Sequence, residues 1–160
     1  MKKIAILSFV FAILLALSAC GKTEEPKPTR LGTSAFTVVL PEGYSQKTDD
    51  MDEDQVAYFH KDDNSVDFDV YQWKKGSEYT LEAEANAYAE DYDTVAEPVT
   101  VNGINGMKYV SIEEYEGVFY TVENYMFEDD VNIVEISFWT IDSEGEHKTI
   151  KSILDTLKKN

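Results

Sequence analysis

The chain has 160 residues, 31 acidic against 14 basic side chains for a formal net charge of −17, and 43% hydrophobic and 12% aromatic residues. That apolar content is too high for a disordered chain, and the length suits one domain rather than two. The charge excludes nucleic acid as a partner, because phosphate binding needs clustered cations, and it disfavours flat docking on anionic lipid.

The N-terminus begins with Lys2 and Lys3, continues as an apolar run over 4–17 broken only by Ser8, and closes on Ser18, Ala19 and Cys20. A charged start, an apolar run and a small-residue site are the three parts of a secretory signal. The run is too short for a membrane-spanning helix, which needs ~20 apolar residues. Leu17-Ser18-Ala19-Cys20 resembles the bacterial lipobox. That resemblance implies that residues 1–19 are a lipoprotein signal peptide and that the Cys20 thiol is acylated with palmitate-type chains. The protein is then expected at the cell membrane, lipid-anchored and extracytoplasmic. Gly21, not aspartate, follows Cys20, so the leaflet stays open. Cys20 is the sole cysteine, which excludes disulfides, zinc–thiolate sites and cysteine nucleophiles from the folded part. Loss of Lys2 and Lys3 leaves 12 basic against 31 acidic residues, a charge of −19.

Residues 21–30 carry Pro26 and Pro28 and no apolar periodicity, so residues 20–34 read as the lipidated cysteine and a tether. A single α+β domain is expected over 35–160. Phe36, Val38, Val39 and Leu40 form a first strand that stops at the turn signal Pro41-Glu42-Gly43-Tyr44. The acidic stretch 49–54 leads into a strand over 56–60. Asp62-Asp63-Asn64 is a turn, and Val66, Phe68 and Val70 alternate with Asp67, Asp69 and Tyr71, giving a hairpin with one wet face.

Thr80 suits a helix N-cap, with Glu82 and Glu84 near the positive end and Leu81, Ala85, Tyr88 and Tyr92 on one stripe. Val99 to Val101, the turn pair Asn102-Gly103 and residues 107–112 form a second hairpin. Strands over 118–127 and 131–140 follow, joined by Glu128-Asp129-Asp130. Val118, Tyr120 and Val122 lie on one face of the first and Phe119, Tyr125 and Phe127 on the other, so both faces of the sheet need cover. Ile150, Ile153, Leu154 and Leu157 mark a closing helix, with Lys158 and Lys159 at its C-terminal dipole. The sum is an α+β fold: a mainly antiparallel, six- to seven-stranded sheet flanked by two helices.

The order of elements resembles the superfamily of the photosystem II extrinsic protein PsbP and the Ran-binding nuclear-import factor. The residues behind it are the opening Phe36-Thr-Val-Val-Leu-Pro41-Glu-Gly43-Tyr44, the helix start Thr80-Leu81-Glu82, Val101-Asn102-Gly103 and the closing helix. It implies an α/β/α sandwich over most of 35–158. It implies no catalytic residue, since one fold serves many functions.

Several residues were weighed for chemistry. Asp50, Asp52 and Asp54 mimic the start of a calcium loop, but Gln55 stands where the turn glycine belongs and Lys61 where the closing glutamate belongs. Asp142, Glu144 and Glu146 read as helix N-terminal charges. His60 and His147 are expected to be exposed polar residues, too far apart in sequence for a local metal motif. There is no Gly-x-Ser-x-Gly elbow and no phosphate loop. No enzyme, metal or cofactor is expected. The aromatic residues Tyr71, Trp73, Phe119, Tyr125, Phe127 and Trp139 either fill the layers or line a groove, and Tyr71, Trp73, Tyr125 and Trp139 are the candidate binding surface. The first reading is a monomeric, non-enzymatic accessory module that presents a surface to a protein partner. The alternative is a solute- or cation-binding lipoprotein that uses the acidic loops or an aromatic groove.

Overall fold

A computed structural model describes residues 27–47, 51–61, 66–77, 80–141 and 143–160. Cys20 with its lipobox, Asp50, the turn 62–64 and Asp142 lie outside the described residues. In chain order the elements are β1 (Pro28–Arg30), β2 (Phe36–Val39), β3 (Ser45–Lys47), β4 (Gln55–His60), β5 (Asp67–Lys74), α1 (Leu81–Asp91), β6 (Glu97–Val101), β7 (Ile104–Tyr115), β8 (Val118–Glu128), β9 (Asn132–Thr140), α2 (Glu144–Leu154) and β10 (Lys158–Lys159). Seven strands form one antiparallel sheet in the order β3-β4-β5-β9-β8-β7-β6, and β1-β2-β10 form a small second sheet. The α+β class and the two flanking helices are as expected.

Strand alternation sends different chemistry to the two faces of the large sheet. On one face Phe59, Phe68, Val70, Val134, Ile136, Phe138 and Phe127 pack against Ile150, Ile153 and Leu154 of α2 and against Phe36 and Val38 of β2. This is the main core. On the other face Met107, Met126 and Ile133 make a smaller cluster beneath α1. Thr80 caps α1 by accepting from the Ala83 amide at 3.1 Å. Of the expected stripe Leu81, Ala85, Tyr88 and Tyr92, Ala85 is buried and Leu81 packs at its edge, but the second buried residue of α1 is Ala89 rather than either tyrosine. Two alanines let the helix approach the sheet closely, and both tyrosines are left at its margin. Ser143 and Glu146 form a capping box that starts α2.

The ends of the chain correct two expectations. Among the described residues the first strand begins at Pro28, ahead of the expected residue 35: β1 pairs with β2 and Leu31 is fully buried. Asp129 fastens this segment: its Oδ2 accepts from the Ala35 amide at 2.9 Å and its Oδ1 from the amides of Val131 and Asn132. Burial opposes the Asp129 charge, yet these backbone donors hold its carboxyl down at about 2. Lys158 and Lys159 do not extend the last helix. It stops at Leu154, Leu157 enters the core as a loop residue, and the two lysines pair with Thr37 and Phe36 as β10. Asn102 holds this exit by donating from Nδ2 to the carbonyls of Asp155 and Leu157.

Candidate functional site

α1 is short and covers only one end of its sheet face. Beyond it, the same alternation that builds the core leaves Asp67, Asp69, Tyr71 and Trp73 of β5 on the open face, opposite Trp139, Ser137, Glu135 and Ile133 of β9. The register continues the rows across the sheet. Asp69, Ser137, Asn124 and Tyr109 are cross-strand neighbours in one row, and Tyr71, Glu135, Met126 and Met107 in the next. The uncovered part is concave, with a cavity of about 390 Å³. Its walls are Tyr71, Trp73, Tyr88, Tyr92, Tyr109 and Trp139. Its charged groups are Glu113, Glu135 and the loop residues Asp52, Glu53 and Asp54. No lysine or arginine lines it among the described residues.

The aromatic groups are fixed by carboxylates. Trp139 Nε1 donates to Asp69 Oδ2 at 2.6 Å, Trp73 Nε1 donates to Glu84 Oε1 at 3.2 Å, and the Tyr109 hydroxyl donates to Glu135 Oε2 at 2.9 Å. Ser137 Oγ donates to the other Glu135 oxygen at 3.1 Å, and Gln55 Nε2 to the other Asp69 oxygen at 2.5 Å. Ring pairs stiffen the walls further, with centroids 5.4 Å apart for Trp73–Tyr88, 6.3 Å for Tyr92–Tyr109 and 5.8 Å for Tyr120–Trp139.

Glu135 at the floor and Asp69 behind Trp139 both titrate high. Burial is the main cause for Glu135, pushed up to about 7; the Glu113 charge adds to it, and the Tyr109 and Ser137 hydrogen bonds oppose it. Burial likewise pushes Asp69 up to about 6, with Asp67 and Asp52 adding and the Trp139 and Gln55 hydrogen bonds opposing. The Tyr71 and Tyr109 hydroxyls are raised well above the usual phenol value by burial and by the neighbouring acids.

Of the candidate surface residues, Tyr71, Trp73 and Trp139 meet in the cleft. Tyr125 does not. It sits on the opposite face, buried against Phe138, and donates to Glu123 under the Lys108 ammonium. Residue parity on β8 sends it there with Phe127. Phe119 is exposed near the end of the β7–β8 hairpin, and Phe127 is core. Asp52 and Asp54 stand at the mouth of the cleft, and among the described residues no three acidic or histidine side chains converge as a metal site.

The histidines lie on opposite faces of the sheet, so they form no common centre. His60 is half-buried rather than exposed, because its Nδ1 pairs with Asp67 at 2.9 Å. His147 Nδ1 lies 3.0 Å from Glu123. Glu123 is held below its usual range against the effect of burial by hydrogen bonds from Lys108, Tyr125 and His147.

Tyr109, Glu113, Asn124 and Glu135 also line the cleft, with no role expected from the sequence, and they are joined by Tyr88 and Tyr92, expected only as part of a helix stripe. One signal was available for Glu135. It is a carboxylate flanked by Ile133-Val134 and Ile136 in a central strand, a place that tolerates a charge only where something open faces it.

Fold and cleft together define a class: an α+β sandwich whose sheet is packed on one face and partly open, aromatic and acidic on the other. A crystal structure from Bacteroides thetaiotaomicron VPI-5482 is similar, with 18% identity and a TM-score of 0.59 over 82% of this chain. The chain spans about half of that protein, 49% of its length. The solution structure of cyanobacterial PsbP (CyanoP) from Synechocystis sp. PCC 6803 is also similar, at 12% identity and a TM-score of 0.47, covering 91% of this chain and 99% of that one. No family model matches the chain, and no curated protein sequence matches it.

Proposed function

We propose that the protein is a non-enzymatic ligand-binding module, held on the outer face of a bacterial membrane through lipid on Cys20, with the acidic aromatic cleft as its binding site. The observation that carries this reading is the gathering of Trp73, Trp139 and four tyrosines with the buried carboxyl of Glu135 and four further acids in one concavity. Ligand sites have this form: apolar walls and a few fixed polar groups. The protein-partner reading draws its support from elsewhere, the exposed Ile112, Tyr115, Val118 and Phe119 of the β7–β8 hairpin. That patch has no comparable set of fixed polar groups, so the cleft is the stronger site.

Both tryptophans of the chain line the cleft, so intrinsic fluorescence reports on it directly. Titration of the protein with a panel of small amines, amino acids and sugars is expected to give a saturable change in emission for at least one class. A Trp139→Leu, Tyr109→Ala double variant is expected to lose that binding by calorimetry. A panel that moves neither fluorescence nor melting temperature sinks the reading.

A further inference from the structure

We infer that the ligand of the cleft carries a methylated ammonium group, a choline-like cation held by the faces of the aromatic side chains and the charge of Glu135. The inference rests on the cleft being the binding site and deepens that reading. It follows from how the polar groups of the cleft are already used. Each oxygen of Glu135 accepts a protein hydroxyl, from Ser137 and from Tyr109, and each oxygen of Asp69 accepts a protein N–H, from Gln55 and from Trp139. The indole N–H groups of Trp73 and Trp139 are likewise spent on carboxylates.

The walls thus present six aromatic rings whose indole N–H groups and Tyr109 hydroxyl are already spent, over a floor where Glu135 is already engaged by two protein donors, while the remaining acids, Asp52, Glu53, Asp54 and Glu113, add negative charge around it. A primary ammonium brings three N–H donors that must each find an acceptor when stripped of water. A methylated ammonium needs none, loses little hydration, and is attracted to ring faces by their quadrupole. An indole that donates to a carboxylate is also richer in π charge, which strengthens that attraction. The absence of lysine and arginine from the described lining leaves the acidic field uncompensated there. A divalent metal fits less well, because no three ligating side chains converge among the described residues. A cavity of about 390 Å³ accommodates a group of this size with room for a short chain.

The test uses the chain lacking residues 1–19 and its lipid, at pH 8, titrated by calorimetry and tryptophan fluorescence. The probes are choline, its neutral carbon isostere 3,3-dimethylbutan-1-ol, ethanolamine and maltose. Choline is expected to bind at least about tenfold more tightly than the isostere and than ethanolamine, a factor in line with one or two desolvated cation–π contacts. Glu135→Gln is expected to weaken choline about tenfold and leave the isostere unaffected, with circular dichroism confirming the fold. Trp139→Leu provides a second variant if Glu135→Gln does not fold.

Equal binding of choline and the isostere overturns the inference, as does tighter binding of ethanolamine or maltose; either result keeps the cleft as the site. Silence of all four probes removes the choline-like ligand, and the wider panel described above then decides the fate of the cleft itself. Sedimentation with phosphatidylcholine and with phosphatidylglycerol vesicles separates two sources of the same chemistry. Selective capture by phosphatidylcholine assigns a lipid headgroup, and binding of free choline without vesicle capture assigns a soluble cation.

Discussion

Glu135 occupies a position where a carboxylate is costly, buried in a central strand at the floor of the cleft. Its pKa is raised from 4.5 to about 7, so the folded protein holds this proton over a range in which the unfolded chain has released it. The sign of the linkage follows. Between about pH 4.5 and 7 the native state binds more protons than the unfolded state, so stability falls as pH rises and levels off above the folded pKa. At 1.36 kcal/mol per pH unit the loss is about 3 kcal/mol. Asp69, raised to about 6, acts in the same direction over a lower window. Melting temperatures measured from pH 5 to 8 are therefore expected to decline in the native protein, and Glu135→Gln is expected to remove a large part of that decline. General charge repulsion in so acidic a chain also lowers stability with pH, but one neutralised surface acid barely changes it. Glu97→Gln, at an exposed position outside the cleft, serves as that control. If Glu135→Gln and Glu97→Gln give the same slope, Glu135 ionises as freely in the fold as in water.

At the scale of elements, the β7–β8 pair shows how tightly the sheet is drawn. Gly106 lies in β7, and a Cβ added there would meet the Met126 carbonyl oxygen at 2.6 Å and the Phe127 ring at 2.7 Å. Neither neighbour can move freely, one being backbone and the other a core ring. Gly106→Ala is expected to destabilise by roughly 1–3 kcal/mol, lowering the melting midpoint by roughly 2–4 °C per kcal/mol. An unchanged midpoint would mean that the strands sit further apart at this point. The long strands were legible in the sequence because their alternation is strict and their turns are marked. Asn102-Gly103, for example, takes φ values of 52° and 79°, the left-handed pair that such a hairpin turn requires. The edge strands β1, β3 and β10 were not, since two or three residues carry no period to read. The cleft was half legible. Alternation placed Tyr71, Trp73 and Trp139 on a face without saying whether a helix would cover them. Helical spacing put Tyr88 and Tyr92 on one stripe with Ala85, but spacing says which residues share a face, not how far across the sheet that face extends. Tyr125 was grouped with the tryptophans by composition, and only the register shows that it points the other way.

For the whole molecule, the early start of the fold changes the geometry of the proposed anchor. With β1 beginning at Pro28, only residues 21–27 separate Cys20 from the sheet, and a fully extended chain of that length reaches at most about 25 Å. A lipid on Cys20 would then keep the domain within a few Debye lengths of the bilayer, each ~8 Å at physiological salt. On the proposed reading, a charge of −19 after loss of Lys2 and Lys3 would repel an anionic surface at that range, so the anchor would restrain a domain that its own electrostatics push outward. Such a domain would stay near the membrane without lying flat on it, with its cleft open to solvent. In that reading the lipid on Cys20 supplies the hold. Cys20→Ala is therefore expected to abolish incorporation of labelled palmitate and to move the protein from the detergent-rich to the aqueous phase on Triton X-114 partition. The melting temperature of the domain should stay unchanged, since residue 20 precedes every strand among the described residues. A Cys20→Ala protein that still takes up palmitate or still partitions with detergent defeats the anchor, whatever the cleft binds.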